Sequence, residues 1–232
     1  MAAGITVYND SNVVQVDESY RNMVLIKSGQ FTANLSATHQ DLWWSSLQTV
    51  WARTTPNAIM AVRTPYPGLC LGPGSYRDGR KVCSFFYPAN QTVTFQYYIY
   101  DLVSPSLSDR VGMQVFNSQS VLVYSAYDIP LRVIDYVDTR DKPSIVDVIY
   151  RAPHLNVAAC CIAGGYMVDV DGVDVELSYA RTYWSGLDFK GYTVNYVNDA
   201  PGAGPTGYWG TGYQNFLMVD VSNVPLNYER SQ

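Results

Sequence analysis

Hydrophobic and polar positions along this chain change places in short runs. Segments rich in Val, Ile, Thr, Tyr and Phe recur, with Gly, Pro, Asn and Asp between them, which is how strands and turns punctuate a sequence. The pattern predicts strands over residues 5–8, 13–16, 23–27, 92–100, 113–116, 121–124, 131–137, 145–150, 166–170 and 173–183. Alternation within them is loose. That suits a sandwich whose strands are part buried on both faces, or whose outer face meets another subunit. One stretch has a different period: after a Thr38 cap, Trp43, Leu47, Val50 and Trp51 fall at i, i+4, i+7 and i+8. This spacing predicts a short helix ended by Pro56, with a strand pair as the competing reading.

The pattern also repeats. Residues 4–16 read GITVYNDSNVVQV and residues 112–124 read GMQVFNSQSVLVY. In register, Gly4 matches Gly112, Val7 matches Val115, Tyr8 matches Phe116, Asn9 matches Asn117, Val13 matches Val121 and Val14 matches Leu122. A Tyr follows each copy, Tyr20 and Tyr127, and then another hydrophobic run. Each copy reads as a hairpin: an aromatic closes one strand, three polar residues turn, and a Val-rich strand returns. A loop of this length combines a type I turn with a residue at positive φ, expected at Asn12 and at Ser120. Chance matching of apolar positions is common in β-rich sequences, but here Gly, Asn and the aromatic share one register. The duplication divides the chain into a module over 1–107 and a module over 108–232, with the boundary in the polar, Pro-containing SPSLSD at 104–109. The expected fold is all-β: two tandem β-sandwich-like modules with at most one short helix.

With 232 residues, 47% of them hydrophobic and 15% charged, the chain has enough apolar mass for a core in each module. Its 20 Tyr favour a pleated, half-buried surface. A net charge of -5 supplies no basic footprint for a phosphate backbone, so nucleic acid is not an expected partner. No apolar run reaches bilayer length, and MAAGITVYND lacks a basic region followed by an apolar one; neither membrane insertion nor an export signal is expected. Cys70, Cys83, Cys160 and Cys161 include no CxxC spacing, so thiols are expected. Cys70 and Cys83 flank a turn-rich stretch and are placed to pair in an oxidising medium.

Chemistry is sparse. Asp169, Asp171, Gly172 and Asp174 superficially resemble a calcium loop, but the remaining ligand positions are missing. Asp171-Gly172 between alternating Val residues reads instead as a two-residue hairpin turn, with Val170 facing Val173 and Asp169 across from Asp174. His39 and His154 are far apart in the chain and lack partners at ligand spacing; they read as surface or capping residues. No nucleophile elbow, zinc-hydrolase helix, phosphate loop or dinucleotide fingerprint occurs. Asp135, Asp138 and Asp141 offer carboxylates for a glycosidase pair, yet acidic residues in turns explain them. No catalytic residue, cofactor or metal is therefore expected. The Gly-rich stretch 199–215, DAPGAGPTGYWGTGYQN, carries Tyr208, Trp209 and Tyr213. Such aromatics stack on sugar rings, order against a protein neighbour, or fold back on the sandwich.

The two hairpins resemble the opening of a family of bacteriophage tail proteins associated with tail fibres or the tail tip. Its members begin with Gly, two variable residues, Val, Phe or Tyr, then Asn or Asp, a small turn and a returning strand. GITVYNDSNVVQVD (4–17) and GMQVFNSQSVLVYS (112–125) both carry that pattern, although family turns often have Gly where Asn12 and Ser120 stand. The resemblance covers a small fraction of the chain. It implies a non-enzymatic structural component of the virion, multi-copy or homo-oligomeric, assembled with other tail proteins in the host bacterial cytoplasm. The alternative expectation is a carbohydrate or host-receptor binding module that uses Tyr208, Trp209 and Tyr213.

Overall fold

A computed structural model of the chain describes residues 7–8, 14–16, 22–34, 52–65, 70–71, 75–77, 80–82, 85–86, 92–104, 113–117, 119–139, 148–163, 166–170, 174–199 and 215–230. Over these residues the protein is all-β, with antiparallel sheets and no helix. The first half carries β1 (Val7–Tyr8), β2 (Val14–Val16), β3 (Val24–Asn34), β4 (Ala52–Arg53) and β5 (Ile59–Arg63). It continues with β6 (Cys70–Leu71), β7 (Ser75–Arg77), β8 (Arg80–Val82), β9 (Phe85–Phe86) and β10 (Thr92–Asp101). The second half opens with β11 (Gln114–Phe116), β12 (Leu122–Ser125), β13 (Val133–Asp138), β14 (Val148–Arg151) and β15 (Val157–Ala163). It ends with β16 (Tyr166–Val170), β17 (Asp174–Ser185), β18 (Asp188–Asp199) and β19 (Asn215–Asp220). The proposed helix over residues 38–51 lies outside the described residues.

The framework is a six-stranded sheet in the order β13-β19-β15-β5-β10-β3. Each half of the chain supplies three adjacent strands, and they meet where β15 pairs with β5 at Ala159↔Val62. Both faces of this sheet are buried. On one face Met60, Val62, Ile99, Ala159, Cys161, Phe216 and Met218 pack against Trp184 and Phe189 of a second sheet, ordered β14-β18-β17-β16, and against Ala152 just after β14. On the other, Ala61, Tyr98, Tyr100, Ala158, Cys160 and Val219 are covered by Ile129 and Leu131 and by Val224 and Tyr228 of the C-terminal segment. Burial on two sides explains why VAACCIA and NFLMVD read as unbroken apolar runs rather than alternating ones. Period two sends adjacent Cys160 and Cys161 to opposite faces, where both are buried.

The sheet also comes round on itself. Val24 bridges Pro130, with Leu25 N donating to Ile129 O and Leu131 N to Met23 O, both at 2.8 Å, just ahead of β13. The leading ends of the two edge strands are thereby joined. Further along β3, Ser28 N donates to Tyr228 O and Arg230 N to Ile26 O, so the C-terminal segment covers part of that edge and blunts it. Within the sheet Tyr97 lies over Gly29, its cross-strand partner; a Cβ there would meet the Tyr97 hydroxyl at 2.5 Å, which explains the glycine.

The second sheet corrects one expectation. β16 and β17 do form a hairpin about Asp171-Gly172, but Val170 pairs with Val175 and Asp169 with Glu176, while Asp174 pairs with Asp199 of β18. Asp169 therefore does not stand across from Asp174. A slip of two residues keeps every side chain on its original face, so hydrophobic patterning cannot distinguish the two registers; turn length decides between them.

Candidate functional site

The two repeated segments fold as hairpins with one geometry. In the first, Val7 pairs with Val16 and Tyr8 with Val14; in the second, Val115 pairs with Tyr124 and Phe116 with Leu122. These are the same pairs under the sequence alignment, and the register shifts at the same step in both, Val7/Tyr8 and Val115/Phe116. A shared bulge is a stronger sign of kinship than shared hydrophobicity, because a bulge is a local backbone feature that patterning alone does not require.

The turn of the second hairpin is built by Asn117. Its Oδ1 accepts hydrogen bonds from Gln119 N at 3.0 Å and Val121 N at 2.9 Å. Its backbone accepts from Ser120 N and donates to Val121 O, both at 2.9 Å. An Asn side chain that satisfies backbone donors in this way organises a turn without help from the core. Ser120 has φ 59°, the left-handed position anticipated from the loop length. Asn12 lies outside the described residues. Val115 and Val123 are buried together with Tyr124 against them, and Leu122 is buried as well. Met113, Phe116 and Val121 are exposed, as is Tyr127 in the adjoining turn at 56%. This gives the hairpin an apolar outer surface of the kind that proteins use to meet one another.

Four polar clusters hold the surrounding framework, and patterning did not reveal them. Asp101, fully buried, accepts from Thr55 N and Thr55 Oγ1 at 2.6 Å each and from Leu102 N at 2.8 Å. Asp220 accepts from Ser222 N at 2.9 Å and Ser222 Oγ at 2.6 Å, with Arg132 Nη1 at 3.1 Å and His154 Nε2 at 3.7 Å. Burial alone would raise the Asp220 pKa, but the two Ser222 bonds and the charges of Arg132 and His154 outweigh it and leave the carboxyl below its ordinary value. Asp128 and Arg230 form a buried ion pair at 3.1 Å, and Arg230 also donates to Ser104 O, tying down the C-terminal segment. Arg63 donates to Val157 O and Gly186 O and lies 4.8 Å from the Trp184 ring, joining the two large sheets. In the sequence, Asp-x-Ser at 220–222 carries the local signal of a common side-chain turn, which the strand pattern alone does not register.

The Asp220 cluster does not have the order of a nucleophilic triad. Asp220 sits between Ser222 and His154, whereas nucleophilic catalysis needs the imidazole in the middle. Tyr100, wholly buried beside Tyr98 and Asp220, has its hydroxyl pushed well above the usual tyrosine range, chiefly by burial. His154 Nδ1 accepts from Asn156 N at 3.3 Å, a local side-chain-to-backbone turn. Asp135 is exposed on β13 and accepts from Tyr136 N. Cys70 pairs with Phe86 across β6 and β9. Tyr208, Trp209, Tyr213, Asp141, His39 and Cys83 lie outside the described residues. No family model, curated protein or solved structure matches the chain.

Proposed function

We propose that the protein is a non-enzymatic structural component of a bacteriophage tail, at the tail tip or associated with tail fibres, present in several copies and bound to other tail proteins. The observation that carries this reading is the duplicated hairpin, whose residues resemble the tail family and whose two copies share register and bulge. The exposed Met113, Phe116, Val121 and Tyr127 support it by supplying an apolar contact surface. The test is light scattering on the purified chain followed by a peptide search of purified phage particles. A discrete oligomer whose peptides occur in the particle is expected. A monomer absent from particles overturns the reading, and glycan binding abolished by Trp209→Ala would replace it with the receptor-binding alternative.

A further inference from the structure

The two halves of the six-stranded sheet correspond well beyond their hairpins. Outward from the seam the order is β5-β10-β3 on one side and β15-β19-β13 on the other: second, third, first in each half. Tyr98↔Ala61, Ile99↔Met60 and Tyr100↔Ile59 match Leu217↔Cys160, Met218↔Ala159 and Val219↔Ala158. Tyr100↔Leu25, Ile99↔Lys27 and Tyr98↔Ser28 match Val219↔Val133, Met218↔Asp135 and Leu217↔Tyr136. Both of these outer ladders skip one residue at the same step, Ile26 in one and Ile134 in the other. Leu25 and Val133 are as far apart in the chain as Val7 and Val115, so the first strands keep the spacing of the hairpins. The correspondence ends at the far end of β15, where an extra bulge lies between Cys161 and Ala163.

A two-fold axis relating the halves must convert every pairing between them into another pairing on the same ladder. Ala159↔Val62 becomes Met60↔Cys161, two steps along that antiparallel ladder, which places the axis between Ala61 and Cys160. Val24↔Pro130 becomes Asn22↔Arg132, again on its own ladder, which places the axis between Met23 and Leu131. Both junctions are antiparallel, as a two-fold exchange requires, and in each the pairing residue lies two positions from its own counterpart. The buried carboxylates follow it too: Asp101 and Asp220 come directly after the matched Tyr100 and Val219, and each holds the residue four before a matched β5 or β15 position, Thr55 before Ile59 and His154 before Ala158.

We infer that the chain is a fused homodimer. The β5–β15 seam is a two-fold interface between two copies of one β module, and the partner this surface fits is a second copy of that module, supplied in the same chain through residues 102–113. Small residues at the seam, Ala61, Ala158, Ala159 and Cys160, suit a junction where two equivalent strands meet on an axis with both faces already packed. A strand order alone can arise by coincidence, whereas strand order does not require matched bulges and matched faces, or two junctions each two residues from the matched pairing. This inference does not depend on the tail reading.

Equivalent halves can exchange their order along the chain. The test is a circular permutant of the full sequence that begins at Gly112, ends at Val111 and joins Gln232 directly to Met1. Its stretch from Asp220 to Val7 is longer than the native one from Asp101 to Val115, so a two-fold molecule spans it. A companion permutant with the same join opens instead at Gly186, in the β17–β18 turn. The first permutant is expected to unfold cooperatively within about 5 °C of the native order, with β5 and β15 amides equally protected from hydrogen exchange. Failure of the first alone shows that the halves are not exchangeable and overturns the inference. Failure of both shows that the join cannot be spanned, which overturns it as well.

Discussion

Asp101 and Asp220 end corresponding strands in the two halves, yet different chemistry satisfies them. Asp101 is held by neutral donors, two from Thr55 and one from Leu102, with no access to water. Asp220 is held by Ser222 together with Arg132 and His154, whose side chains reach the solvent. The same architectural task, fastening the end of one strand to the segment that leads into its neighbour, is met once by oriented dipoles and once by a charged network. The first arrangement is rigid and insensitive to salt. The second has solvated partners that water can satisfy if the carboxylate is lost, and it responds to pH.

The comparison is most exposed to Asp101→Ala. This change removes a wholly buried acceptor from three donors at once and is expected to cost about 3–5 kcal/mol, read as a lower denaturant midpoint with an unchanged slope. A loss below about 1 kcal/mol would show that water enters and that the two sites are alike after all. Asp220→Asn comes next, at about 1–2 kcal/mol near neutral pH. Its signature is the pH profile. Because the folded pKa of Asp220 lies below the unfolded value, its contribution is present above about pH 4 and is lost as pH falls through the folded value. Asp220→Asn is therefore expected to flatten the acid fall of the melting temperature, and an unchanged acid limb would remove Asp220 from that role. The smallest effect concerns the hairpins: Ser120→Gly relieves a left-handed backbone and is expected to stabilise by about 0.5 kcal/mol. A destabilisation there would mean that the serine side chain, rather than the backbone angle, sets the turn.

Each of the ten strands expected from the pattern overlaps a strand of the structure over the described residues. The ones that patterning missed, β5, β15, β18 and β19 among them, include three of the four inner strands of the main sheet. The reason is physical. Runs rich in Val, Ile, Thr and Tyr announce themselves, whereas a strand buried on both faces and built from Ala and Cys, as in VAACCIA, has neither alternation nor strong β propensity to show. The Asp171-Gly172 hairpin was legible as a hairpin but not in its register, because a two-residue slip leaves every face unchanged.

Local chemistry in the sequence by itself determined the all-β class, the turn at Asn117 with its left-handed Ser120, and the kinship of the two hairpins. Those features depend on residues close together in the chain, where period, turn chemistry and repeat can be read directly. Tertiary structure alone decided that the two halves share one sheet and meet on a two-fold axis at Ala61 and Cys160. It alone decided which buried carboxylate would be met by dipoles and which by cations. Those outcomes depend on pairings between residues roughly fifty to a hundred positions apart, for which the chain carries no local signal.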